Sequence, residues 1–118
     1  MAKILLIDDD RLFSQIYATR LTAERHQVDL CLDGQSAIDK LGQKYDFIFL
    51  DIMMPQIGGL ELLKKIALTI NVTTPVVVLT NLIDEETKKN CLQTGAREYL
   101  IKADFTPNQL LDKIKGYL

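Results

Sequence analysis

The residues best suited to chemistry in this chain are acids that stand at the ends of apolar runs. Asp8, Asp9 and Asp10 follow Ile4-Leu5-Leu6-Ile7, and Asp51 follows Phe47-Ile48-Phe49-Leu50. Thr80 ends Val76-Val77-Val78-Leu79, and Lys102 follows Tyr99-Leu100-Ile101. Singly each is commonplace, since an aspartate after a strand is an ordinary turn or cap residue. Together they describe a site. Carboxylates brought within a few ångström repel one another and need neutralising. A hard divalent cation does this, and Mg²⁺ takes one or two carboxylates with water and a phosphate oxygen. An ammonium and a hydroxyl beside them complete a site for a phosphoryl group, whose equatorial oxygens they stabilise during in-line transfer. Asp51 would end the central strand, which makes it the natural nucleophile, its carboxylate forming an acyl phosphate.

Such a site exists only if the fold carries those strand ends to one edge. Strands are expected at Lys3–Ile7, Val28–Leu32, Phe47–Leu50, Val76–Thr80 and Glu98–Ile101. A helix over Arg11–Glu24, capped by Asp10, should present Leu12, Ile16 and Leu21 on one face. Asp33-Gly34 opens a short helix that Gly42 ends at its C′ position. Pro55 and Gly58-Gly59, the pair read as a left-handed turn, lead to a helix around Leu60–Ile70. Asp84 caps a helix to about Thr94, closed by Gly95. Thr106-Pro107-Asn108-Gln109 is a capping box, opening a last helix that buries Leu110, Leu111, Ile114 and Leu118. Strands with near-continuous apolar runs belong in a parallel sheet covered on both faces. With right-handed crossovers this is an α/β fold, a (βα)5 doubly wound sandwich in strand order 2-1-3-4-5. There the first, third, fourth and fifth strands are neighbours, so Asp8, Asp9, Asp51, Thr80 and Lys102 converge at the crevice beyond their carboxyl ends.

Composition narrows the function classes. The chain has 118 residues, 47% hydrophobic and 25% charged, which supports one domain with a real core and excludes disorder. A net charge of −2 argues against nucleic-acid binding. The apolar runs are too short to cross a bilayer, and Met1-Ala2-Lys3 with the short run after it does not read as a secretory signal, so the expected compartment is the cytoplasm. Cys31 and Cys91 lack metal-ligand spacing and read as small buried thiols. His26, the single histidine, falls in the turn after the first helix, away from the acids, which disfavours histidine-based catalysis. Gly58-Gly59 lacks the spacing of a phosphate-binding loop, and Lys64-Lys65 and Lys88-Lys89 read as solvated helix faces.

The ordered motifs Ile4-Leu5-Leu6-Ile7-Asp8-Asp9-Asp10, Phe49-Leu50-Asp51-Ile52-Met53-Met54-Pro55 with Gly58-Gly59, Val78-Leu79-Thr80 and Tyr99-Leu100-Ile101-Lys102 resemble the receiver domain of bacterial two-component response regulators. The likeness extends over essentially the whole chain and implies a single, stand-alone receiver domain, residues 1–118. It implies that Asp51 is the phosphoacceptor, served by a histidine kinase or histidine phosphotransfer protein. It implies Mg²⁺ held by Asp8, Asp9, Asp51 and the backbone carbonyl of Met53. Thr80 resembles the switch hydroxyl that bonds the phosphoryl group, Lys102 the ion-pair partner of that group, and Tyr99 the aromatic ring that turns inward when Thr80 moves. A downstream partner would bind the surface of the fourth helix, fifth strand and fifth helix. Asp10 looks like the helix cap rather than a ligand. Asn81, Met53 and Leu82 are placed around the entrance as residues that modulate access.

Two positions depart from that pattern. Ala103 stands where the family usually has proline, and Asn81 where it usually has a small residue. A trans Lys102–Ala103 bond and a rearranged loop are expected, because a cis bond before a non-proline residue costs about 2.5–4 kcal/mol. Asn81 is read as a steric gate over Asp51, with a hydrogen bond to a phosphoryl oxygen as the other role open to its amide. Two other function classes compete. A receiver-like interaction module would never turn over phosphate. A haloacid-dehalogenase-type phosphatase would also use an aspartate, Mg²⁺, a threonine and a lysine. That family needs an acidic metal motif after the lysine strand, where only Asp104 and Asp112 remain, and a cap domain for which the chain has no room.

Overall fold

A run of apolar residues can bury both of its faces only inside a sheet that is covered on each side. The computed structural model, which describes residues 1–118, shows this arrangement. Strands β1 (Lys3–Ile7), β2 (Gln27–Cys31), β3 (Phe47–Leu50), β4 (Val76–Thr80) and β5 (Glu98–Ile101) alternate with helices α1 (Arg11–Ala23), α2 (Gly34–Lys40), α3 (Gly59–Ile66), α4 (Glu85–Thr94) and α5 (Pro107–Ile114). All strand pairs are parallel, in the order β2-β1-β3-β4-β5. Strand alternation sends Leu5, Ile7, Ile48, Leu50, Val76 and Val78 into one core with Leu62, Leu63, Ile66 and Cys91. It sends Ile4, Leu6, Phe47, Phe49, Val77 and Leu79 into the other, with Tyr17, Leu21, Leu110 and Ile114. No helix is long and apolar enough to cross a membrane.

Register is what aims the polar residues. Ile7 pairs with Leu50, so the next residues, Asp8 and Asp51, leave the sheet side by side. Leu50 pairs with Val78, so β4 continues two residues further and ends on Thr80. Thr80 pairs with Ile101, which brings Lys102 out beside it.

The caps follow the sequence closely. Asp10, Asp33, Asp84 and Thr106 each accept a backbone N–H at the start of a helix, and Gln109 closes the Thr106 capping box. Gly95 ends α4 at φ 122°.

Five local expectations need correcting. Leu21 is buried as expected, but Leu12 (71% exposed) and Ile16 (40%) face water, and Ser14 and Tyr17 take their place on the buried face of α1. At about 100° per residue Leu12 and Leu21 lie half a turn apart, so one face cannot bury both. Helix α3 stops at Ile66, not Ile70, because the Thr69 N–H and hydroxyl both take the Ile66 carbonyl. Gly58-Gly59 forms no left-handed turn: Gly58 has φ −73°, and the positive φ in this loop belongs to Gln56 (66°). Gly59 is instead a close approach, since a Cβ there would lie 2.4 Å from Ile52 Cα. Strand β2 starts and ends one residue earlier than expected. Of the apolar residues of the last helix, Leu110 and Ile114 are buried while Leu111 and Leu118 are half-buried.

Candidate functional site

Asp8 and Asp51 are 2% and 6% exposed, so both carboxylates have lost nearly all their water. What replaces it is specific. Asp8 Oδ1 accepts the Asp10 N–H (2.9 Å), and Asp51 Oδ1 accepts the Met53 N–H (2.9 Å). The second oxygen of each meets one ammonium. Lys102 Nζ lies 2.6 Å from Asp8 Oδ2 and 3.0 Å from Asp51 Oδ2. It also lies 4.2 Å from the centroid of the Phe13 ring, on α1. Ser14 adds a hydroxyl donor to the Asp8 carbonyl, which fixes the start of α1 against the end of β1.

Burial raises the Asp8 carboxyl to about 6, against the pull of Lys102 and the Asp10 N–H, with the Asp51 charge adding a smaller push upward. For Lys102, burial works against the ammonium, but the Asp8 hydrogen bond and the Asp51 and Asp8 charges outweigh it and raise its pKa. One lysine between two buried acids leaves the cluster net negative.

Asp9 supplies the third acid. It is exposed, and one oxygen from each of Asp8, Asp9 and Asp51 can lie within 4.8 Å of the others. Donors that are all oxygen, net negative and partly open to water suit a hard divalent cation. On that test the residues present fit Mg²⁺.

Thr80 is fully buried at the end of β4, and its oxygen accepts the Leu82 N–H (3.2 Å). It makes no hydrogen bond to Asp51 in this state, so it stands beside the cluster rather than in it. Tyr99 is 8% exposed, its ring packed in the core and its hydroxyl donating to the Leu82 carbonyl (2.6 Å). Burial, with smaller pushes from Cys91, Asp84, Asp51 and Glu85, raises the phenol to about 12. The ring expected to turn inward on switching is thus already inside.

Met53 reaches the site through its backbone, while its side chain is 54% exposed. Leu82 is half-buried and ties Thr80 to Tyr99 through its backbone. Asn81 is exposed, and its Oδ1 accepts the Ala103 N–H (3.2 Å). Every peptide bond is trans, Lys102–Ala103 included, and Lys102–Asp104 forms a single 3-10 turn.

The geometry also locates what the sequence reading placed apart. Cys31 and Cys91 are buried free thiols, and burial raises both. His26 lies half-buried outside the cluster, its Nδ1 accepting the Ala2 N–H (3.0 Å). Phe13 and Ser14 were not foreseen as site residues. The spacing from Asp10 was a usable signal, because a cap residue fixes which side chains of the first helical turn look back at the strand end.

Comparison with known proteins decides the class. Residues 4–115 match the response regulator receiver domain family. The chain belongs to this receiver family. It is 36% identical, over its whole length, to the response regulator ArlR of Staphylococcus aureus, covering 53% of that protein. The receiver therefore spans about half the length of the curated relatives it matches. Among solved structures it is similar to a two-component response regulator from Clostridium difficile (33% identity, TM-score 0.90, 99% of this chain and 95% of that one). It is similar also to the receiver domain of the Francisella response regulator 1452 (31%, TM-score 0.85, 99% and 96%). A BeF3-activated DrrB receiver domain has the same fold (28%, TM-score 0.88, 99% and 97%). The receiver is thus a signalling module in fold and family, and not a member of the haloacid-dehalogenase class.

Proposed function

We propose that Asp51 accepts a phosphoryl group from a histidine kinase or histidine phosphotransfer protein, and that residues 1–118 act as one receiver domain. One observation carries this reading. The Asp51 carboxylate is buried, is held at one oxygen by the Met53 N–H and at the other by Lys102, and lies against the oxygens of Asp8 and Asp9. A carboxylate oxygen oriented in this way would attack the donor's phosphorus in line, the O–P bond of an acyl phosphate forming as the P–N bond to the donor histidine breaks and its imidazole leaves. Asp8, Asp9, Asp51 and the Met53 carbonyl would hold Mg²⁺, which supplies positive charge for the transferring oxygens. Lys102 serves the same end: its ammonium, already shared by two acids, would also meet an anionic oxygen brought to Asp51. Phe13 and the turn after β5 keep it from swinging into water.

The output follows from Thr80. Its hydroxyl reaches a phosphoryl oxygen by giving up the Leu82 N–H, and Leu82 is bound by Tyr99. The change would spread to the surface of α4, β5 and α5, where a downstream protein would bind. Ile83 (79% exposed) and Leu92 (40%) stand there among charged residues. The population shift needs only a few kcal/mol between two states.

Incubation with acetyl phosphate and Mg²⁺, followed by intact mass measurement, tests this. One phosphoryl group should be gained, none by Asp51→Asn, and Asp9→Ala should label more slowly. Labelling of Asp51→Asn at the parent rate would show a different acceptor. No labelling with any small phosphodonor would leave the receiver as a binding module only.

A further inference from the structure

The loop after β4 is tied down at three consecutive residues. The Leu82 N–H donates to Thr80 Oγ1, the Tyr99 hydroxyl donates to the Leu82 carbonyl, and the Ala103 N–H donates to Asn81 Oδ1. The first two bonds lie within or behind the loop. The third runs sideways, from the residue after Thr80 to the residue after Lys102. It therefore joins the two segments whose side chains flank Asp51.

We propose that Asn81 is a positioning residue that fixes Lys102 through the Ala103 amide. The proposal rests on the phosphoacceptor reading for its rate effect, and on the geometry alone for the clasp. Lys102 opens a 3-10 turn held by one bond of its own, from the Phe105 N–H to the Lys102 carbonyl. The Ala103 N–H is at the front of that turn, where no residue of the turn can accept it. Asn81 does so from the neighbouring strand end. The acceptor and the donor both depend on the residue present: a small side chain at 81 would have no carbonyl to offer, and a proline at 103 would have no N–H to give. The two departures noted in the sequence thus form one bond. Its effect is to make Thr80 and Lys102 move as a unit, since each lies one residue from an end of the clasp.

This role and the steric gate differ in sign. A gate removed by Asn81→Ala would speed labelling by acetyl phosphate. A clasp removed by the same change loosens Lys102, and misplacing one charged group in a phosphoryl site slows transfer by roughly threefold to thirtyfold.

The experiment compares the parent with Asn81→Ala and Asn81→Asp, the latter keeping a side-chain acceptor. Amide exchange at Ala103 should quicken by about tenfold in Asn81→Ala, as for the loss of one hydrogen bond. It should stay near the parent rate in Asn81→Asp. The NMR signal of the Lys102 ammonium, sharp while two carboxylates hold it, should broaden in Asn81→Ala alone. Labelling of Asp51 should slow. Unchanged Ala103 exchange in Asn81→Ala, or faster labelling, would overturn the proposal. If the parent itself is never labelled, the phosphoacceptor reading fails, while the exchange and ammonium signals still decide the clasp.

Discussion

At the edge of the sheet where the strands begin, Asn71 is fully buried and neutral. Its Oδ1 accepts the Tyr45 N–H (2.7 Å) and faces the Thr74 hydroxyl (3.1 Å), and its Nδ2 donates to the Leu41 and Gln43 carbonyls (3.2 and 2.7 Å). At the edge where the strands finish, Asp8 and Asp51 are almost as deeply buried, but as acids sharing one lysine. Both clusters join loops that the sheet itself does not connect. The difference lies in what burial does to each. An amide with both N–H groups donated and its oxygen accepting a backbone N–H loses little by leaving water. Two carboxylates with one ammonium remain short of positive charge, and burial raises Asp8 to about 6. A satisfied neutral cluster is scaffold; a buried cluster left net negative is poised for a cation and a phosphoryl group.

This contrast can be broken in three ways. The largest effect is expected at the neutral edge. Asn71→Ala leaves the Tyr45 N–H and the Leu41 carbonyl without partners, which costs about 2–4 kcal/mol. Urea unfolding should show the loss, while labelling of the remaining folded protein keeps the parent rate. A matching fall in labelling rate would mean that the two edges are coupled.

The second effect belongs to the charged edge in the absence of metal. The folded-state pKa of Asp8 lies above its unfolded value of 3.8. Stability from its protonated form is therefore fully present below about pH 4 and lost as pH rises through about 6, a change on the order of 2–3 kcal/mol. Urea midpoints in EDTA should fall across that window. Added Mg²⁺ should flatten the profile, because binding to the folded state alone is stabilising. A midpoint independent of pH in EDTA would remove the charge imbalance from the comparison.

The smallest effect probes the rim of the neutral edge. Lys44 Nζ donates to the Thr73 and Thr74 hydroxyls at the surface (3.2 and 2.9 Å). Lys44→Met should change stability by no more than about 0.5 kcal/mol. A loss as large as that of Asn71→Ala would show that the buried amide depends on this outer cation.

The aspartate-rich strand ends, the caps and the continuous apolar strands were legible because each is a local signal. Asp10, Asp33, Asp84 and Thr106 cap helices by reaching only three residues ahead. Long apolar runs announce burial on both faces, and five strand–helix units suit the doubly wound order 2-1-3-4-5. The buried face of α1 was misread because Leu12 and Ile16 are as apolar as Tyr17 and Leu21, and only packing against β1 and β2 selects between them. The Asn71 cluster was invisible for a related reason. An asparagine in Thr-Ile-Asn-Val-Thr-Thr has the look of a solvated turn, and its partners lie about 30 residues earlier in the chain.

What the residues determined by themselves was therefore the inventory: five apolar strands, their helices, and the acids, threonine and lysine at the strand ends. Tertiary structure decided the distances and the charges. Only the pairing of Ile7 with Leu50 and of Thr80 with Ile101 brings the Lys102 ammonium to 2.6 Å from Asp8 and 3.0 Å from Asp51. Only that burial moves Asp8 from an ordinary acid to one near 6. The bond between Asn81 and Ala103 belongs to the same class, since a side chain and an amide 22 residues apart meet only after β4 and β5 are paired. Local chemistry is written along the chain, whereas electrostatic fields and long-range hydrogen bonds depend on separations in space, which the chain acquires only on folding.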